Sequence, residues 1–242
     1  MTTQYGWEPY LSDRDKEHDK IWGKKELYGF GNRPALLLID IYYSVLGLKR
    51  EPIFESMKTW PSSTGLEGWE AVDKTAELLA VARECGIPVI HIKGLQSGIK
   101  PWVHRHRGPS KLSPEMQKKG TQIVDEVAPV DGEVVIEKTA PSAFQGTPLD
   151  FHLTAMGIDT LICCGETTSG CVRSSVVDGA THRYRMGVVS ECVFDRTEAS
   201  HYMNLYDMHQ KYSDVISLDM AKGYLREKAT IDTSTFAQSK TG

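Results

Sequence analysis

No stretch of this 242-residue sequence approaches the ~20 consecutive apolar positions that a bilayer-spanning helix needs, so no membrane role is expected. The opening residues, MTTQYGWEPYLSDRDKEHDKIWGKK, are polar and charged and lack the apolar centre of a secretory leader. No N-x-S/T glycosylation acceptor occurs. Charge of one sign is scarce too. With 28 basic against 32 acidic residues, binding to nucleic acid or a membrane surface through bulk electrostatics is excluded. Cysteine is limited to five residues, an odd number, with no C-x-x-C pair and no zinc-type spacing. A reducing compartment, the cytoplasm, is therefore expected, where a conspicuous cysteine is reactive or buried rather than bridged.

What is present is an alternation of short apolar runs and helical patterns, without repeats, low-complexity tracts or an internal linker. Ala35–Asp40, Ile87–Ile92, Val134–Ile136, Thr160–Cys164, Met186–Ser190 and Val215–Leu218 read as strands. Val72–Glu84, Pro148–Met156, Cys171–Arg183 and Glu198–Lys211 read as helices, the first two closed by Gly86 and Gly157. This predicts an α/β fold: a three-layer α/β/α, Rossmann-like domain with about six mainly parallel strands covered on both faces. Residues 29–242 form that domain, and 1–28 an extension packing on it or on a neighbouring subunit. The connection 94–131, with Pro101, Pro109, Pro114 and Pro129, has the length of a lid or interface element.

Open sheets of this kind place ligands beyond the carboxyl ends of their strands. Four segments stand there: Asp40, Lys93, Glu137-Lys138 and Gly165–Cys171. In Gly165-Glu-Thr-Thr-Ser-Gly-Cys171, a small, hydroxylated turn carries a cysteine into the first turn of a helix. Free amides and the macrodipole there favour anions, which would lower the thiol pKa and could hold an oxyanion. The same residue also reads as a small buried hydrophobe. No histidine stands at a strand end facing this turn; His91 reads as packing, His104 and His106 as loop, and His201 and His209 as late helix. Asp40 ends a wholly apolar strand, a costly place for a carboxylate unless it lines a cleft or finds a partner. Lys138 could pair with it and favour a nearby thiolate, or the two could simply brace strand ends.

Ala128-Pro-Val-Asp-Gly-Glu-Val-Val-Ile-Glu-Lys138, Ser142-Ala-Phe-x-Gly-Thr147, Ile158-Asp-Thr-Leu-Ile162 and Gly165-x-Thr-Thr-Ser-Gly-Cys-Val-Arg173 resemble the isochorismatase-like cysteine hydrolases. The likeness is to their N-carbamoylsarcosine amidase and maleamate amidohydrolase branches. Gly31-Asn-Arg-Pro-Ala35, Asp195-Arg196 and Asn204-Leu-Tyr-Asp-Met208 extend it over residues 29–220, with 41–127 matching weakly. The resemblance implies a catalytic set of Asp40, Lys138 and Cys171 and an oxyanion hole built from the amides of Thr167 and Cys171. It also implies a cis peptide between Glu166 and Thr167, a pocket lined by Phe144, and a homo-oligomer, with a tetramer favoured.

The departures are informative. Asp40-Ile41-Tyr42 replaces the Asp-x-Gln of many relatives, and Lys93-Gly-Leu-Gln lacks the ligand set of the metal-holding branch, so neither metal nor cofactor is expected. Glu166 stands where close relatives carry a small or apolar residue; it either reads a cationic or N–H-rich substrate or pairs with an arginine across a subunit interface. Arg196 matches an arginine in branches whose substrates carry a carboxylate, a group that guanidinium forks bind. The implied activity is release of ammonia from a small amide, an N-carbamoyl amino acid or a short amic acid, through a cysteine acyl-enzyme. A ureide without a carboxylate, such as biuret or guanylurea, is the alternative, and a silent binding or scaffold domain is the alternative of another class.

Overall fold

The computed structural model describes residues 5–94 and 112–238, with side chains to residue 229. In chain order the elements are α1 (Asp13–Trp22), β1 (Pro34–Ile39), α2 (Tyr43–Leu46), α3 (Ile53–Ser56), α4 (Gly65–Glu84), β2 (Val89–Gly94) and α5 (Pro114–Gly120). They continue as β3 (Val134–Lys138), α6 (Leu149–Ala155), β4 (Thr160–Glu166), α7 (Arg173–Thr181), β5 (Arg185–Phe194), α8 (Glu198–Lys211), β6 (Asp214–Ile216) and α9 (Leu218–Gln238). The six strands form one all-parallel sheet in the order β3-β2-β1-β4-β5-β6. The chain winds outward from β1 in one direction and restarts at β4 in the other. The crevice of the fold therefore opens between the carboxyl ends of β1 and β4.

Burial explains the layers. Every residue of β1 and β4 is buried, as a strand covered on both faces requires, whereas edge strand β3 alternates. On α4, Ala71, Val72, Thr75, Leu78, Leu79 and Ala82 recur at helical spacing and face the sheet. The glycines expected to close helices do so: Gly86 and Gly157 adopt φ of 67° and 65°, conformations that side chains disfavour.

Several boundaries differ from the sequence reading. β5 runs on to Phe194, beyond the expected end at Ser190, so Cys192 lies within a strand. Its pairing with β4 slips between Cys163 and Gly165, a bulge that re-aims the end of β5 toward the crevice. The helix expected from Cys171 begins as a π-type turn, Thr168–Val172, before α7 proper. Among the described residues the connection after β2 contains α5 and a 3₁₀ turn at Asp125–Val127; residues 95–111, with His104 and His106, lie outside the described residues.

The segment before β1 packs on its own chain. Tyr5 and Trp7 stack at 4.3 Å and cover His209 of α8. Lys24 forms a buried ion pair with Asp214, whose carboxylate also accepts the amides of Tyr28 and Gly29. No described helix is long and apolar enough to cross a membrane.

Candidate active site at the β1–β4 crevice

Asp40 follows β1 directly and adopts φ 56°, a left-handed conformation that aspartate tolerates better than most residues. Its amide donates to Ile92 O at 2.9 Å, holding the turn to β2. Lys138 ends β3, two strands away. Its register partner on the intervening β2 is Gly94, so β2 places no side chain at that level. Lys138 Nζ reaches Asp40 Oδ2 at 2.7 Å and Cys171 Sγ at 3.3 Å. Three groups 33 to 131 positions apart in the sequence thus meet at one edge of the sheet.

Cys171 is held by the turn after β4. Gly165, at φ 111°, is required there because a Cβ would overlap the carbonyl of Ile39 on β1. The Glu166–Thr167 peptide is cis, as the resemblance implies. Thr167 O then accepts the amides of Gly170 at 2.8 Å and Val172 at 3.2 Å, a spacing that passes over the amide of Cys171. Ser175 donates to Cys171 O at 2.7 Å and accepts from Ala143 N at 2.9 Å, joining the turn to the loop beyond Lys138.

The electrostatics correct one expectation. Cys171 is not a pre-formed thiolate: burial and the nearby Asp40 charge push its thiol up to about 12, against the opposing pull of Lys138. Burial also lifts the Asp40 carboxyl above the usual carboxylate range, with Lys138 opposing. At Lys138 burial works against the charge, yet Asp40 and Cys171 outweigh it and hold the ammonium firmly. Asp40 Oδ1 is buried without a hydrogen-bond partner among the described residues, while Asp40 and the Cys171 thiol each shift the other's ionisation. The resting arrangement is a neutral thiol beside a carboxylate of raised basicity.

Arg196 and Glu166 depart from expectation in a linked way. Glu166, buried at the end of β4, pairs with Arg196 of its own chain at 3.0 Å. Arg196 Nε donates to Ser62 O at 2.8 Å, so the fork expected to bind a substrate carboxylate is largely occupied from within. Burial pushes the Glu166 carboxyl up to about 8, Arg196 opposing and Asp40 and Asp195 adding to the rise. Phe144 packs in the core, stacked on His182 at 5.2 Å and Tyr184 at 5.9 Å.

Several supporting residues escaped the sequence reading. Asp195 accepts the amides of Ser169 and Arg196, both at 2.8 Å, and His201 Nδ1 bonds Thr168 Oγ1 at 2.8 Å. Arg173 reaches Asn204 at 3.0 Å and pairs with Asp207. The signal was the polar stripe His201, Asn204 and Asp207 at three-residue spacing on α8. Tyr42 completes the crevice. Its phenol is pushed well above its ordinary value by burial, then by Asp40, Glu166 and Cys171, with Arg196 opposing, so its hydroxyl lies in the field of all four. A cavity of about 670 Å³ adjoins Arg196, between Phe54, Glu67 and Glu70 on one side and His201 on the other; Asp40, Lys138 and Cys171 do not line it. Among the described residues no group of three or more His, Cys, Asp or Glu side chains gathers in an arrangement suited to a metal ion.

Comparison with known proteins matches the isochorismatase domain to residues 34–220. The chain is 36% identical over 231 residues to the maleamate amidohydrolase of Pseudomonas putida, covering 90% of this chain and 100% of that one. It is 34% identical over 221 residues to the N-carbamoylsarcosine amidase of an Arthrobacter species, covering 84% of this chain and 75% of the relative. Among solved structures, the N-carbamoylsarcosine amidase from Thermoplasma acidophilum superposes with a TM-score of 0.60 at 25% identity, over 77% of this chain and 97% of that one. An isochorismatase family protein from Desulfovibrio vulgaris superposes with a TM-score of 0.66 at 26% identity, over 81% and 99%.

Proposed function

The chain belongs to the isochorismatase family, and from that premise we propose that it is a cysteine-dependent amidohydrolase that releases ammonia from a terminal –CO–NH₂ group of a small linear amide or ureide. The observation that carries this reading is the Lys138 ammonium bridging the Asp40 carboxylate and the Cys171 sulfur, 2.7 and 3.3 Å away. The names of the relatives support hydrolysis of a C–N bond other than a peptide bond.

In the first half-reaction Asp40 takes the Cys171 proton as the sulfur attacks the carbonyl carbon. With the thiol held near 12, this transfer belongs to the attack itself rather than to the resting enzyme. Lys138 steadies the charge as it moves from carboxylate to sulfur. The developing oxyanion rests on the amides of Thr167 and Cys171, donors worth roughly 10²–10³ in rate apiece in comparable sites. Protonated Asp40 then gives its proton to the departing nitrogen as the C–N bond breaks, leaving a thioester or thiocarbamate and free ammonia. In the second half-reaction Asp40 deprotonates a water, which adds to the acyl carbon; the carbon–sulfur bond breaks, the acid product leaves, and Asp40 returns the proton to the sulfur to restore the thiol.

Ammonia release from a panel of small amides and ureides tests the reading. Cys171→Ala should abolish turnover, and Asp40→Asn should lower kcat by roughly 10²–10⁴. Intact mass spectrometry of quenched reactions should find the acyl adduct on a peptide containing Cys171. Unimpaired turnover by Cys171→Ala would sink the proposal.

A further inference from the structure

The Glu166–Arg196 pair is the feature of the crevice that the proposed chemistry leaves unused. Three facts locate it. Glu166 is the residue before Thr167, a proposed oxyanion donor, and lies opposite Phe194 where the bulged end of β5 delivers Asp195 and Arg196. Arg196 spends Nε on Ser62 O and Nη2 on Glu166 Oε2. The pair also shares the field of the Tyr42 phenol with Asp40 and Cys171.

We infer that this site selects a substrate whose far end, beyond the scissile –CO–NH₂, is an N–H donor group such as a second ureido or a guanyl group, and discriminates against one that ends in a carboxylate. The inference rests on the amidohydrolase reading above and deepens it. A substrate carboxylate needs an uncommitted cation. Here the guanidinium is engaged by an internal carboxylate, and the ammonium of Lys138 by Asp40 and Cys171. An entering carboxylate would have to displace Glu166 from Arg196 or Asp40 from Lys138, in surroundings where charge is weakly screened. N–H donors meet the opposite situation. Glu166 accepts the Arg196 guanidinium at Oε2, and a carboxyl group has further lone pairs with which to take an N–H donor. A site that bonds donor N–H groups through a buried acceptor rejects ligands lacking them, because the acceptor is then left unpaired.

The experiment is a comparison of kcat/KM, scored by ammonia release, across three sets: biuret and guanylurea; N-carbamoylglycine, N-carbamoylsarcosine and maleamate; and methylurea with acetamide, which carry neither end group. The wild-type enzyme should favour the first set over the second at least ten-fold. Glu166→Gln, which frees Arg196 of its charged partner, should move that ratio at least ten-fold toward the carboxylate-bearing set. A wild-type preference below ten-fold or reversed, or an unchanged ratio in a folded Glu166→Gln variant, overturns the inference while turnover of any amide leaves the amidohydrolase reading standing. Absence of ammonia from all three sets overturns both.

Discussion

Lys138 Nζ lies 2.7 Å from Asp40 Oδ2, and the two side chains are only 5% and 2% exposed. A buried pair of this kind is held at a desolvation cost, and removing one partner leaves the other uncompensated. Lys138→Met should therefore act on chemistry through Asp40. Lys138 lowers the Asp40 pKa, so without it the carboxylate protonates at higher pH. The proposed base is active only when ionised, so activity is lost as pH falls. The acid limb of kcat/KM in Lys138→Met should then move up by roughly 1–3 pH units, alongside a fall in kcat. A pH–rate profile from pH 4 to 8 checks this; an unmoved acid limb would separate Lys138 from the ionisation of Asp40.

Gly165→Ala should be among the most damaging single-methyl additions. The new Cβ would overlap the Ile39 carbonyl, a backbone atom in the centre of the sheet, and φ of 111° strains any side chain. A cost of roughly 3 kcal/mol or more is expected from overpacking and backbone strain combined. Urea unfolding of the variant measures it, and Gly86→Ala is the control, since its Cβ would meet nothing within 4 Å although its φ is also positive.

His209 gives the fold a sensitivity to mild acid. Burial, with Lys24 adding and Asp214 opposing, holds its pKa down to about 4, while its Nδ1 accepts the Val215 amide at 3.1 Å. A depressed histidine contributes stability that is whole above the unfolded value near 6.5 and is lost as pH falls toward 4. The loss is on the order of 3 kcal/mol at most. Urea unfolding at pH 7.5, 6 and 5 should show it, and His209→Gln should flatten the curve in that window.

Lys24→Met tests the strap formed by the segment before β1. It would leave the Asp214 carboxylate, 1% exposed, with the Tyr28 and Gly29 amides but no cation. A loss of about 3–5 kcal/mol is expected. Limited proteolysis should cut the variant earlier within residues 13–33 than the wild type. Equal stability and cleavage would show that the two amides suffice.

Much of the fold was legible because its signals are local. All six strands are apolar runs of the right length, and Gly86 and Gly157 stop helices where expected. The slip of β5 past β4 was not legible, since a bulge is decided by what the neighbouring strand presents. For the same reason the run of β5 past Ser190 to Phe194 was not legible: one apolar residue looks like another until its neighbours are known.

By itself the sequence determined which elements form and which chemistry-bearing residues stand at strand ends, because periodicity, chain stiffness and hydrophobic patterning act over a few residues. Only the tertiary structure decided which of those residues meet. Lys138 reaches Asp40 across the level of Gly94, burial keeps the Cys171 thiol protonated, and Arg196 is committed to Glu166 within its own chain. Coulomb energies and desolvation depend on distances and surroundings that residues remote in the sequence acquire only when the sheet is assembled.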